Sequence, residues 1–209
     1  MAPKGRSAEA ICSAMGLMGF VEPDWTPPML RLLVMPSFSH ELCVTVDGNR
    51  QEVSTTVLAE PFWGYGTPSR LARWSDQATV EPGRIEEVLS GFAIAHAADQ
   101  QSEGRMVCIT DGWLVECCLF SAGKTDRFGG HPDLPILVDF VRRVLHLAWT
   151  SSSHPGVKNG LADCVSFARE KWPREIQPAV PVANPLLVLG SPADRAEYLR
   201  IWRPRQNHW

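Results

Sequence analysis

The chain has 209 residues, a length that suits one or two domains. Its 44% hydrophobic and 21% charged residues exclude disorder, collagen and coiled coil as descriptions of the whole. A net charge of −3 gives no basic footprint for nucleic acid, and no run approaches the roughly 18 apolar residues of a membrane span.

In chain order, Lys4 and Arg6 precede the mostly apolar stretch Ala8 to Val21, the outline of a signal peptide. Glu9 interrupts that run, and Ile11, Ala14, Met15 and Met18 fall on one face of a short helix, which is the preferred reading. Phe20 to Pro28 holds three prolines and reads as a loop. Leu30 to Met35 is an apolar, β-compatible run, with Pro36 marking a bend or an edge position. Leu42, Val44 and Val46 alternate with Cys43, Thr45 and Asp47, the period of a half-buried strand. Asp47-Gly48-Asn49 supplies turn chemistry, so Leu42 to Ala59 is predicted to be a β-hairpin. Glu60 to Ser75 combines Pro61, Gly64, Gly66 and Pro68 with Trp63, Tyr65 and Trp74, and reads as a long aromatic loop.

Pro82 sits near the start of a predicted helix whose inner face is Ile85, Val88, Leu89, Phe92 and His96. Arg105 to Thr110 reads as a strand and Asp111-Gly112 as a tight turn. Trp113 to Phe120, with only Glu116 as a charge, reads as a strand inside the sheet. Ser121 to Lys124 turns, Thr125 to Phe128 adds a short strand, and Gly129 to Pro135 is a loop. Leu134 to Trp149 is an amphipathic helix with Leu137, Val138, Val141 and Leu145 inward. Thr150 to Gly160 reads as a connector, Asp163 to Trp172 as a short helix, Leu186 to Leu189 as a strand, and Pro192 to Trp202 as a last helix. Residues 1–149 are thus expected to form the main domain, with 150–209 an extension packed back upon it. The fold class is α+β, a mainly antiparallel sheet of four to six strands with helices largely on one face.

The six cysteines include no C-x-x-C pair, and Cys117 and Cys118 are adjacent, where they would bridge only with strain. Reduced, buried thiols in a cytoplasmic protein are expected, with no cofactor. Cys43 and His40 are three apart on a strand and so face opposite sides, which argues against a nucleophile–base pair. His131-Pro132-Asp133 is ligand-like, but no H-x-x-x-H or H-E-x-x-H spacing accompanies it. Gly123-Lys124-Thr125 lacks the glycine a phosphate-binding loop needs five positions earlier, where Cys118 stands, and is read as a β-turn. Glu116, a carboxylate in an apolar strand, must be paired or exposed, and Arg105 or Arg127 are its expected partners.

Met35-Pro36-Ser37-Phe38 ahead of an alternating strand, Asp111-Gly112-Trp113 with Glu116 three residues on, then Gly123, Pro132 and a helix from Leu134, form an ordered set. This set, from Leu30 to Trp149, resembles a widespread group of small bacterial α/β proteins that carry a D-G-x-x-W-x-x-E-like strand before a sheet-packing helix. The group has no agreed activity, so the resemblance implies an architecture, and by analogy the role of an immunity partner to a bacterial toxin. Aromatic and arginine side chains anchor interfaces, and Trp63, Tyr65, Arg70, Arg73 and Trp74 are therefore the candidate partner-binding set. The expected function is a non-enzymatic protein-binding protein that occludes a cognate toxin. The alternative is a small hydrolase or metal-dependent enzyme built on Asp111, Glu116 and His131.

Overall fold

The computed structural model describes residues 7–22, 24–36, 40–59, 62, 72–101, 113–130 and 134–167. Helix α1 (Ala8–Ala14) leads to strands β1 (Met29–Pro36), β2 (Leu42–Asp47), β3 (Glu52–Leu58) and β4 (Arg73–Thr79). Helix α2 (Pro82–Gln101), strands β5 (Trp113–Ser121) and β6 (Lys124–Gly130), and helices α3 (Pro135–Ser151) and α4 (Pro155–Phe167) follow. The six strands form one sheet in the order β4-β3-β2-β1-β5-β6, antiparallel throughout, so the fold is α+β.

Strand β1 is central. A strand covered on both faces reads as a nearly continuous apolar run, which is what Met29–Pro36 presents. Leu30, Leu32 and Val34 point into a core shared with α2, α3 and α4. Leu33 and Met35 point the other way, into a second core closed by α1, Phe20 and Trp25. Pro36 is the last β1 residue, where a missing N–H breaks little of the ladder.

The hairpin β2–β3 forms as its alternation and turn chemistry predict. Asp47 Oδ1 accepts from the Asn49 and Arg50 amides at 2.9 Å each, an Asx turn. At the β5–β6 turn, Ala122 and Gly123 both have positive φ (48° and 74°), the geometry of a two-residue hairpin loop rather than a phosphate cradle. β5 lies inside the sheet between β1 and β6, and β6 runs on to Gly130, past the predicted end of its strand.

On the helical side, Phe92 of α2, Phe128 of β6 and Phe140 of α3 form an aromatic triad with centroids 5.5–6.1 Å apart. Gly91 lets α2 approach α3, since a Cβ there would lie 3.4 Å from the Phe140 ring.

Two predicted segments are corrected. Residues Arg73 to Ser75 are not the end of a loop but the start of β4, paired with Leu58 to Thr56 of β3. Trp74 is consequently core, 7% exposed, and not part of an exposed partner-binding loop. The second correction concerns Thr150 to Gly160. α3 continues to Ser151 and α4 begins at Pro155, so the stretch is a tight helix–helix corner.

The corner is held from a distance. Asp76 Oδ2 on β4 accepts from Ser152 Oγ (2.7 Å), Ser153 N (2.6 Å) and His154 N (2.7 Å). His154 in turn caps α4, its Nδ1 accepting from the Gly156 amide at 3.1 Å. Glycines cost helix propensity of about 1 kcal/mol each, and here they permit close contact. A Cβ on Gly156 would meet the Trp74 ring at 2.7 Å, and one on Gly160 would meet Val57 Cγ1 at 2.3 Å. α4 therefore shares the main core. The predicted strand Arg105–Thr110 and all elements beyond Phe167 lie outside the described residues.

Candidate functional site: a polar groove on the second sheet face

The strand period of two puts Arg31, Thr45, Ser54 and Gln77 side by side on the face away from α2–α4. The segment from Leu17 to Pro27 crosses one margin of that face but leaves the β3–β4 end open. Ser75, Gln77 and Thr79 are all exposed there. The result is a groove of about 690 Å³ with a sheet floor and a wall formed by Leu17, Glu22, Asp24 and Trp25.

Arg31 fixes the wall to the floor. It is 3% exposed. Its Nε donates to Thr45 Oγ1 at 2.9 Å, Nη1 to the Gly19 carbonyl, and Nη2 to Glu22 Oε1 at 2.8 Å. The Trp25 ring covers the guanidinium at 4.6 Å. A buried arginine is tolerated only when its fork is satisfied in this way. Glu9 adds a second tether, its Oε2 accepting from the Phe20 amide at 2.8 Å.

The electrostatics favour cations. Four carboxylates line the groove (Glu22, Asp24, Asp47, Glu52) against two guanidiniums (Arg31, Arg50). Arg31 is committed to Glu22, Arg50 reaches Asp47 at 3.8 Å, and Glu52 accepts from Gln77 Nε2 at 2.9 Å. The lining thus carries a formal −2, four negative charges less two positive, open to solvent.

Of the candidate site residues singled out in the sequence, Arg73, Trp74 and Glu116 are among the described residues. Arg73 is exposed on edge strand β4, its guanidinium packed against Gly16 just after α1. Trp63, Tyr65, Arg70, Asp111 and His131 lie outside the described residues. Glu116 is half-buried on β5, facing Gly129 across the ladder. Burial pushes its carboxyl above the ordinary range. The Arg127 guanidinium pulls it down, and Glu9 pushes it up again. The pull of Arg127, one of the two expected partners, does not offset the burial, and Arg105 lies outside the described residues.

His40 and Cys43 do face opposite sides. The His40 ring meets Trp74 edge-on at 6.3 Å, while Cys43 belongs to the core beneath α1. Among the described residues no group of three or more His, Cys, Asp or Glu side chains is placed to hold a metal ion. No helix of the described residues is long and apolar enough to cross a membrane.

Sequence reasoning missed Arg31, although the signal was present. A single charge inside M-L-R-L-L-V-M-P demands a partner for the same reason as Glu116 does in its strand. Asp76 and Glu52 carried no such signal, because their partners are set by strand register. No family model matches the chain, and no curated protein does either.

Proposed function

We propose that this chain is a non-enzymatic protein-binding protein, an immunity-type partner that neutralises a cognate bacterial toxin in the cytoplasm by covering it. The observation that supports this reading is the open acidic groove on the second sheet face. Its floor is rigid sheet, its wall is clamped by Arg31, and its lining holds an excess of carboxylates. Complementary charge steers association and selects partners. A basic segment of the toxin, rich in Lys or Arg, is the matching occupant. Arg73, on the exposed edge strand close to the same face, remains in the partner-binding set, from which burial removes Trp74. The alternative is a small hydrolase or metal-dependent enzyme using Asp111, Glu116 and His131, of which Glu116 is described, with its carboxyl raised by burial, and Asp111 and His131 lie outside the described residues.

The test uses the full chain as bait in a native lysate, alongside a variant with Asp24→Lys and Glu52→Lys. Asp24 is exposed on the groove wall and Glu52 is half-buried at the start of β3, and a thermal melt of the variant checks that its fold is kept. The expected result is one stoichiometric partner with a basic binding region, captured by the wild type, weakened by salt and lost with the variant. Co-expression of that partner should arrest growth unless the wild-type chain is present. Equal capture by both baits, or a partner harmless on its own, would overturn the proposal.

A further inference from the structure

The groove opens along β4, and among the described residues β4 is an edge strand, paired to β3 on one side only. The register shows where its other side points. Ala59 N donates to the Ala72 carbonyl and Val80 N to the Gln51 carbonyl, each at 2.8 Å, in line with the β3–β4 ladder. These are hydrogen-bonded pairs of an antiparallel ladder, and such pairs recur at every second residue. Trp74, Asp76 and Ala78 therefore direct their backbone groups to β3, while Arg73, Ser75, Gln77 and Thr79 direct theirs to the open edge. The same four side chains are exposed on the groove face.

An unpaired edge is a template for a further strand, and native proteins blunt such edges with charge, cover or a twist. The stretch from Ser75 to Thr79 has little of this. Arg73 is packed against Gly16, and Asp76 is turned to the Ser152–His154 corner, with its Oδ1 accepting from the Gln77 amide at 3.0 Å. Among the described residues, the outward amides and carbonyls of Ser75 and Thr79 have no hydrogen-bond partner. The opposite edge, β6, carries Lys124 and Arg127 against Asp126 and ends in Gly129-Gly130, with Gly130 at a φ of 126°.

We propose that the partner is held by strand addition, an inference that rests on the binding reading above. An extended segment with Lys or Arg at every second position pairs antiparallel with Ser75–Thr79 and lays its cationic face over the groove. Antiparallel pairing continues the sheet as all five of its ladders are built. Partner residues opposite Ser75, Gln77 and Thr79 then direct their N–H and C=O groups to β4 and their side chains to the groove face. Charge decides that this set is the cationic one. Glu52 Oε2 already lies beside β4, 2.9 Å from Gln77 Nε2, so an ammonium or guanidinium opposite Gln77 meets it, with the acidic lining behind. The β6 edge, with two positive charges against one negative, repels the same segment. Main-chain hydrogen bonds thus supply affinity, and alternate side chains supply the selection.

The probe is the peptide acetyl-Lys-Val-Lys-Val-Lys-Val-Lys-amide, titrated into the isotope-labelled full chain while amide signals are followed by NMR. Saturable shifts should centre on Ser75, Gln77 and Thr79 and extend to Glu52, with α2 and α3 unmoved. N-methylation of the lysines removes the N–H groups that face β4, and should weaken binding on the order of tenfold or more. N-methylation of the valines, whose N–H groups point away, should leave it unchanged. Ser75→Pro removes an outward amide without breaking a bond to β3. It should abolish the edge shifts, and Ser75→Ala should keep them. Equal binding by the two methylated peptides, or shifts on the groove floor that spare β4, would overturn strand addition and leave the groove reading standing. No shift at either place would overturn both. A chain that sediments as a dimer until Ser75→Pro is introduced would assign the edge to a second copy, which also overturns the proposal. The peptide titrations use the wild type, so they decide the matter even where the proline variant fails to fold.

Discussion

The two faces of the sheet are covered in different ways. On the helical face, Leu30, Leu32, Val34, Val44 and Val57 meet the apolar stripes of α2, α3 and α4. That contact is non-directional. On the opposite face a short helix and an irregular segment close a smaller apolar core, and directed polar contacts centred on Arg31 fix the groove wall beside it. One face is covered along its length by helices, and the other, apolar under α1 and polar beyond it, leaves room for a groove. Two adjacent residues of one strand, Arg31 and Leu32, thus serve opposite ends of the design.

Substitutions at those two positions should separate the mechanisms. Arg31→Ala strands Glu22 and two carbonyls in a buried site, and should cost about 3–5 kcal/mol in denaturant unfolding. Leu32→Ala should cost a comparable 2–5 kcal/mol through a cavity. The difference lies in rescue. Adding Glu22→Gln to Arg31→Met should recover much of the loss, because the carboxylate is no longer left unpaired. No partner substitution should rescue Leu32→Ala.

The helical face should also be sensitive to overfilling. Gly160→Ala pushes a methyl into Val57, and should lower stability by about 1–3 kcal/mol in the same unfolding measurement. A matching Val57→Ala change should relieve part of that loss.

Asp76 offers a smaller, pH-dependent effect. The hydrogen bonds from Ser152, His154 and Ser153 outweigh its desolvation and hold its carboxyl at about 2, below its ordinary 3.8. A depressed carboxylate contributes stability that is complete above the unfolded value and lost as pH falls through the folded one. Its contribution should therefore disappear between about pH 3.8 and 2. Asp76→Asn should cost about 1–2 kcal/mol near neutrality, and thermal melts of the variant should lack this acid-dependent loss. Smallest of all, Arg143→Ala removes exposed ion pairs to Asp139 and Glu87, and should shift stability by no more than about 0.5 kcal/mol.

The same division explains what could be read from the sequence. The β2–β3 hairpin and α3 announce themselves by apolar period and turn chemistry, which are local. α4 does not, because its corner is organised by Asp76, 76 residues before Ser152 in the chain. Its glycines, which argue for a connector by propensity, are explained only by the proximity of Trp74 and Val57. Strand β4 was hidden because R-W-S-D-Q-A-T alternates between a single buried tryptophan and polar residues, directly after a Pro- and Gly-rich stretch. The groove was the least legible feature. It exists only once register lines up residues of four strands, and the single charge that holds its wall, Arg31, shows that it needs a partner but not which one.

The most direct test of the account is hydrogen–deuterium exchange of the chain alone and with its captured partner. Protection gained over residues 17–31, 45–54 and 73–79, with α2 and α3 unchanged, is the result predicted by a partner seated in the groove. Protection confined to the α2–α3 surface, or none on the second face of the sheet, would contradict it.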